Sequence, residues 1–457
     1  MTALWTSADI AAATGGKASA DFAIGGVAFD SREIGPGDLF VAMPGTAFDG
    51  HQFLDTAFSR GAAGAIVSQP IAQPHVLVED TAAALNALGV ASRGRTTARV
   101  AGVTGSVGKT GTKEALAAAL ARKPGTRVHR SVKSYNNHTG VPLSLSRMPA
   151  DSDYGVFEMG MNHAGEISGL TRMVRPHVAV ITTIAPAHIE FFPTGLDGIA
   201  DAKGEIFEGL EPGGTAVIPF DSPQRDRLIQ HAKVRAANIV TFGLGEGADV
   251  RAREVIDNGD NSTVTAMMPG VELCLTIGQA GAHWVSNGLA VLAAVQALGG
   301  DLGIAALALG DMAQLAGRGA RVKVRIGDGE ALLIDESYNA NPTSMRATLA
   351  VLARERGRKV AVLGEMRELG ARGAELHAGL ADDVVAAGVG SALLVGDAML
   401  PLADALDGRI DVNHVADTKS AIAALADTAA PGDAILVKGS NGVGLSALVA
   451  HLTTGNA

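Results

Sequence analysis

Apolar positions come in three blocks along the chain. Up to about residue 86 they form short strand-like runs at 27–29, 39–41, 65–67 and 75–78, separated by Gly and Pro turns such as Gly35-Pro36-Gly37. A helical stretch at 53–60 lies among them, so this block reads as a small α/β domain. From about Arg99 the runs lengthen to four to seven residues and alternate with helical segments. Strands are predicted at 100–103, 154–158, 178–184 and 215–218, with helices at 109–122, 166–174 and 196–210. Strands that are apolar throughout and alternate with helices belong to a parallel sheet covered on both faces. Residues 248–278 are more polar and read as a small β insertion ahead of an apolar helix at 283–298. A Gly-rich stretch, 310–319, reads as a linker. Beyond it a second alternating series predicts strands at 331–335, 359–363, 392–395 and 434–437, with helices at 344–354 and 374–387. The pattern divides the chain into domains at 1–86, 87–315 and 316–457, all α/β.

Composition narrows the function without naming it. A length of 457 residues suits three domains at roughly 150 residues each. Lys plus Arg is 37 and Asp plus Glu is 47, a net charge of −10, which argues against a general nucleic-acid or anionic-membrane binder. Cys274 is the single cysteine, so no disulfide forms within the chain and no thiolate cluster holds zinc. The apolar helix at 283–298 contains Asn287 and Gln296 and falls short of the roughly 20 residues that span a bilayer. The first residues lack a basic segment, and Asp9 interrupts their apolar run, as in no secretory signal. A cytoplasmic protein is expected.

The sharpest local signal is Thr104-Gly105-Ser106-Val107-Gly108-Lys109-Thr110-Gly111, between a predicted buried strand and a predicted helix. Backbone N–H groups in such a P-loop-type turn point at phosphate oxygens. Lys109 would neutralise the β- and γ-phosphates, Thr110 would bind Mg²⁺, and the helix dipole favours the anion. The pattern departs at its first position, where Val103 stands in place of Gly. A kinase, a motor, a switch protein and a ligase all carry such a loop.

Glu158 ends a predicted strand, at the edge where parallel sheets bind ligands. Its spacing suits a Mg²⁺ ligand or a capping carboxylate equally. His188 and Glu190 follow another strand at the same edge. Lys203 and Glu205 sit in a helix pattern, where Lys-x-Glu is also the mark of a solvated face.

Taken in order, these blocks resemble those of the Mur ligase family. The phosphate loop shares that family's missing first Gly. Asn136-Asn137 with Gly140-Val141-Pro142, Glu158-Met159-Gly160, Ala187-His188-Ile189-Glu190, Ala202-Lys203-Gly204-Glu205 and His283-x3-Asn287 follow in the family's sequence. Gly317-Arg318, Asp335-Glu336-Ser337-Tyr338-Asn339-Ala340-Asn341-Pro342 and Lys438-Gly439-Ser440 complete the series. Phe29-Asp30-Ser31-Arg32 and Phe48-Asp49-Gly50-His51 extend it to the first domain. The block Leu363-Gly364-Glu365-Met366-Arg367-Glu368-Leu369-Gly370 is similar to that of the members that add D-alanyl-D-alanine to a UDP-linked tripeptide.

The resemblance implies a small N-terminal α/β domain for the UDP end of the substrate, a central P-loop-type ATPase domain, and a mobile C-terminal domain with a dinucleotide-fold-like sheet. It implies an ATP-dependent amide ligase acting through an acyl phosphate, in a cytoplasmic step of peptidoglycan synthesis. Its partners are UDP-N-acetylmuramoyl-tripeptide and D-alanyl-D-alanine, with no nucleic acid and no membrane, and it acts as a monomer. Lys109, Glu158, His188, Lys203 and Arg318 are then catalytic. Thr110, Glu158, His188 and Lys203 hold two Mg²⁺ ions, with Lys203 carbamoylated. Gly105 to Gly111, His283, Asn287, Arg318, Asp335, Glu336, Tyr338 and Asn339 bind ATP. Asn136 and Asn137 lie near substrate or phosphates, Ser31 and Arg32 take the UDP end, and Lys438 and Ser440 lie near the peptide end.

Two departures stand out. Glu336 occupies the second place of a pair that is commonly two aspartates, so either acid is a candidate for ribose. Trp284 stands where Asn usually follows the helix-opening His. Competing readings are a sister ligase that adds the third residue, whose Asp-Asn-Pro-Arg motif is missing here, and a ligase extending folate with glutamate, which the Asp-Ser-Arg block disfavours. A nucleotide-binding regulator without ligase activity is disfavoured by the retained Lys109, Glu158, His188 and Lys203.

Overall fold

The computed structural model describes residues 3–45, 48–312, 317 and 319–454. Three α/β units follow one another along the chain. In the first, Gly26–Ala28, Asp38–Val41, Gly64–Val67 and His75–Leu77 form a parallel sheet, with Lys17–Ala18 antiparallel on its edge. Helix Thr81–Gly94 covers it, and the Asp80 carboxylate caps the start by accepting from Ala82 N at 2.7 Å and Ala83 N at 3.0 Å. This helix runs through position 86, so the expected division there falls inside an element. Leu85 and Leu88 pack into one apolar cluster with Leu39 and Ile66, which carries the first core on to residue 94.

Among the described residues the central sheet has nine strands. Val128–Arg130, Tyr154–Glu158, Arg99–Thr104, Val178–Ile181, Thr215–Pro219 and Asn238–Gly243 lie side by side and parallel. Their carboxyl ends therefore share one edge, where Thr104, Glu158 and Ile181 end up as neighbours. Helices Lys109–Ala121 and Ala282–Ala297 bury one face of this sheet, and Glu166–Val174 and Leu196–Gly204 the other. Residues 248–278 do not form a separate insertion. Val250–Asp257 joins the sheet parallel to Asn238–Gly243, and Ser262–Met268 and Val271–Ile277 extend it antiparallel. Their polarity reflects one covered face, as the alternating burial along Ser262–Met268 shows.

The third unit has a six-stranded sheet among the described residues. Ala320–Ile326 and Gly329–Glu336 form a hairpin, and Ala434–Lys438, Lys359–Gly364, Val389–Val395 and Asp411–Val415 continue in parallel. The last strand enters between two earlier ones and sets Lys438 directly beside Glu336. The helix expected at 374–387 is broken into Gly373–Ala378 and Ala381–Ala386. Among the described residues, no helix is long and apolar enough to cross a membrane.

Candidate active site

Strand Arg99–Thr104 delivers the chain to Gly105, whose φ of 149° and tight setting demand glycine: a Cβ there would lie 1.9 Å from Thr182 Oγ1. Gly108 (φ 86°) would likewise place a Cβ 2.8 Å from Asn287 Oδ1. Val103, at the position where Gly was missed, is a buried residue of the strand, so the loop opens only after it. Helix Lys109–Ala121 starts without a side-chain cap, leaving its first N–H groups directed at the loop mouth. Ser106 is stitched to the neighbouring strand loop: its N–H donates to Thr183 O at 2.7 Å and its hydroxyl to Ala185 O at 2.8 Å. Lys109 Nζ donates to Gly105 O at 2.6 Å.

Glu158 closes the floor. Only 1% exposed, it accepts from Thr110 Oγ1 at 2.7 Å and from Asn136 Nδ2 at 2.7 Å. Its own N–H donates to Ser131 Oγ at 3.0 Å. His188 lines the same space from a left-handed backbone position (φ 57°). Burial, then the Lys109 and Lys203 charges, push its pKa down to about 4, so the ring is neutral near pH 7. Lys203 is 2% exposed and does not line the cavity. Burial first, and the charge of Lys109 second, hold its pKa well below the usual lysine value.

A cavity of about 570 Å³ runs from these groups to the third unit. His283, Trp284 and Asn287, on the first turns of helix Ala282–Ala297, line one side. Trp284 lies so close to the phosphate-loop helix that a Cβ on Gly111 would meet its ring at 2.7 Å. Burial lowers the pKa of His283, with Glu336 opposing and Lys438 reinforcing the shift. Glu336, Tyr338, Asn339 and Lys438 line the other side. Lys438 Nζ donates to Glu336 Oε2 at 3.3 Å and to Asn339 O at 2.9 Å.

Several motif residues point elsewhere. Asp335 does not line the cavity: it accepts from Gly317 N at 2.7 Å and from Ser337 Oγ at 2.6 Å, pinning the linker to the strand. Asn137 Oδ1 accepts from Gly140 N at 2.9 Å, in the turn that leads into helix Gly140–Ser146. Ser440 accepts from Arg367 N at 3.0 Å and lies outside the cavity wall. Ser31 is buried, and Arg32 is exposed and bonded to Asp30, with Arg32 Nη2 2.7 Å from Asp30 Oδ2. Both lie outside the cavity. Arg318 lies outside the described residues. Sequence reading missed Ser134, Thr182, Asp221, Asn341, Thr343 and Thr348, all on the cavity wall. Asn341 carried a signal, since Asn-Pro opens a helix: its side chain accepts from Ser344 N at 2.9 Å.

Thr110, Glu158, Asn136 and His188 bring a hydroxyl, a carboxylate, an amide and a neutral imidazole to the loop mouth. That set suits a Mg²⁺ ion that keeps phosphate and water ligands. Among the described residues no group of three or more His, Cys, Asp or Glu side chains gathers into a metal cage.

Comparison with known proteins agrees with this geometry along the whole chain. Residues 23–103 match the Mur ligase family catalytic domain, 103–295 the Mur ligase middle domain and 317–441 the Mur ligase glutamate ligase domain. The chain is 36% identical over 445 residues to the UDP-N-acetylmuramoyl-tripeptide–D-alanyl-D-alanine ligase of Synechocystis, covering 96% of this chain and 94% of that one. A crystal structure of MurF from Acinetobacter baumannii superposes with a TM-score of 0.85 at 32% identity, covering 98% of each chain. The MurF ligase of Thermotoga maritima, solved in complex with ADP, superposes with a TM-score of 0.78 at 27% identity, covering 93% of this chain and 96% of that one. The chain belongs to the Mur ligase family.

Proposed function

We propose that this chain is the ATP-dependent ligase that joins D-alanyl-D-alanine to UDP-N-acetylmuramoyl-tripeptide, in the cytoplasm. The observation that carries the reading is the two-sided cavity. One wall holds a phosphate loop with Thr110, Glu158 and His188, and the other holds Glu336, Tyr338, Asn339 and Lys438 from a separate unit. Full-length likeness to relatives named for this reaction supports the choice of substrates.

In this reading the loop N–H groups, the helix N-terminus and Lys109 hold the ATP phosphates. Thr110, Glu158 and His188 would hold Mg²⁺, which when bound neutralises charge on the transferred phosphoryl group. A carboxylate oxygen of the tripeptide attacks the γ-phosphorus, giving an acyl phosphate and ADP. The amine of D-alanyl-D-alanine then attacks the acyl carbon, the C–O bond to phosphate breaks, and the amine gives up a proton. The third unit covers the site and keeps water from the acyl phosphate. Glu336, Tyr338 and Asn339 bind the nucleoside from that side and His283 and Asn287 from the other, and Arg318 contributes a cation for the phosphates. Lys438 and Ser440 support the peptide end, and Ser31 and Arg32 the UDP end. Lys203 suits carbamoylation: a buried amine held below its usual pKa is a neutral nucleophile toward CO₂, and as a carbamate it would be a second anionic metal ligand.

The test is phosphate release across a substrate panel. Release should require ATP, UDP-linked tripeptide and D-alanyl-D-alanine together. Equal release with free glutamate and folate, or with a diamino acid and UDP-linked dipeptide, would overturn the assignment.

A further inference from the structure

The segment Leu363–Gly370 lies outside the cavity wall but borders it, pairing with Lys438 at one end and reaching His188 near the other. Glu368, on the third unit, brings its Oε2 into ion-pair range of Nδ1 of His188 on the central unit, a buried nitrogen with no aligned hydrogen bond. Four non-glycine residues have positive φ among those described, and two of them meet here: His188 at 57° and Glu368 at 61°. Backbone strain of this kind persists where surrounding contacts over-determine it.

Those contacts are present. Met366 N donates to His377 Nε2 at 2.9 Å, and His377 Nδ1 faces Gly373 O at 2.7 Å, which fixes a neutral ring with its proton on Nδ1. Arg367 N donates to Ser440 Oγ at 3.0 Å, and Ser440 N donates to Glu365 O at 3.0 Å. Residues 365 to 367 are thus clamped just before Glu368. After it, Gly370 (φ 58°) lies against Glu190, where a Cβ would come 2.7 Å from Glu190 Cβ. Only glycine lets the two units approach this closely.

We propose that Glu368 is a positioning residue for His188, delivered by docking of the third unit. It accepts the Nδ1 proton, fixes the ring, and leaves the Nε2 lone pair for the site. Imidazoles that ligate cations are commonly oriented by such a carboxylate on the other nitrogen. The inference deepens the ligase reading and rests on it for the purpose of His188, but the contact is measurable without turnover. It also gives Ser440 and the Leu363–Gly370 segment a role: they aim Glu368.

The experiment uses full-length protein labelled with ¹⁵N-histidine, with the His188 signals assigned by His188→Gln. In the native chain His188 should carry its proton on Nδ1. Glu368→Gln, whose side-chain oxygen still accepts, should keep that tautomer. Glu368→Ala should give a mixture, and Gly370→Ala should behave like Glu368→Ala. In phosphate release, Glu368→Ala should raise the Mg²⁺ concentration for half-maximal rate about 10-fold, with metal-free ADP affinity unchanged. Unmoved His188 signals in both alanine variants would overturn the proposal. The tautomer response without phosphate release on any substrate would instead overturn the reaction assignment and leave the positioning role standing.

Discussion

The central and third units each place an acid and a lysine at the carboxyl edge of a parallel sheet, and they use them differently. In the central unit Glu158 is occupied by Thr110 and Asn136, while Lys109 reaches back to Gly105 O. The charge of Lys109 is felt at a distance, since it depresses both His188 and Lys203. In the third unit Lys438 and Glu336 contact each other, and at His283 their influences oppose. One edge projects positive potential toward a helix N-terminus, as polyphosphate requires. The other offers a nearly balanced pair, suited to uncharged hydroxyl and amide groups. In the proposed reading, the same topology therefore serves phosphoryl transfer on one side and recognition on the other.

The largest expected effect breaks the central edge. Lys109→Met should lower kcat/KM for ATP by about 10³-fold, the scale of losing a preorganised donor at developing charge. Lys438→Met, which removes half of a balanced pair, should lower it by only about 10-fold. Steady-state phosphate release on both variants checks this, and equal losses would erase the distinction between the two edges.

Lys203 sharpens the comparison next. Lys203→Ala should lose about 10²-fold in rate, and short-chain carboxylates should restore part of it if the residue acts as a carbamate. Full activity in the variant would remove that role. The stability of the unmodified protein gives an independent reading in CO₂-free buffer. Because the folded pKa is lowered, the unfolded chain takes up the proton more readily below the usual lysine value. Protonation therefore favours unfolding, and this penalty fades as pH rises toward the unfolded pKa. Lys203→Met removes the penalty, so at neutral pH it should melt higher, by about 2–4 °C per kcal/mol recovered.

Legibility in the sequence tracked how local each feature is. The phosphate loop was readable because its working atoms lie on consecutive residues, Gly105 to Gly111, whose order alone sets the geometry. The three α/β units were readable because buried parallel strands are apolar throughout. The edge strands at 250–277 misled because a sheet covered on one face is half polar, which also describes an insertion. A boundary at residue 86 falls inside helix Thr81–Gly94 because the apolar pattern does not show where that helix ends. Ser134, Thr343 and Thr348 lie beside the motifs at Asn136 and Pro342 but match none themselves, and only the fold brings them to the cavity. Asn137 and Ser440 sit in the expected motifs but bond to backbone, a choice made by loop conformation rather than by residue type.

Asp335 and Glu336 show where residue order stops being informative. They are adjacent and both acidic, and a strand sends neighbouring side chains to opposite faces, so only one of them can face the nucleotide. The hairpin turns Glu336 to the cavity and Asp335 to the linker, where it accepts from Gly317 N, Ser337 N and Ser337 Oγ. An amide at 335 has one acceptor oxygen, so its NH₂ would face at least one of these donors and leave both unsatisfied. Asp335→Asn should therefore cost about 1–3 kcal/mol of stability, read as a lower melting temperature, with little change in KM for ATP once folded. Glu336→Gln keeps an acceptor beside Lys438 but loses the charge. It should raise KM for ATP about 3-fold, on the scale of one weakened hydrogen bond, and leave melting almost unchanged. The reverse pattern, stability carried by Glu336 and nucleotide affinity by Asp335, would mean that the strand end is rotated in the working enzyme and that the third unit presents its other face to ATP.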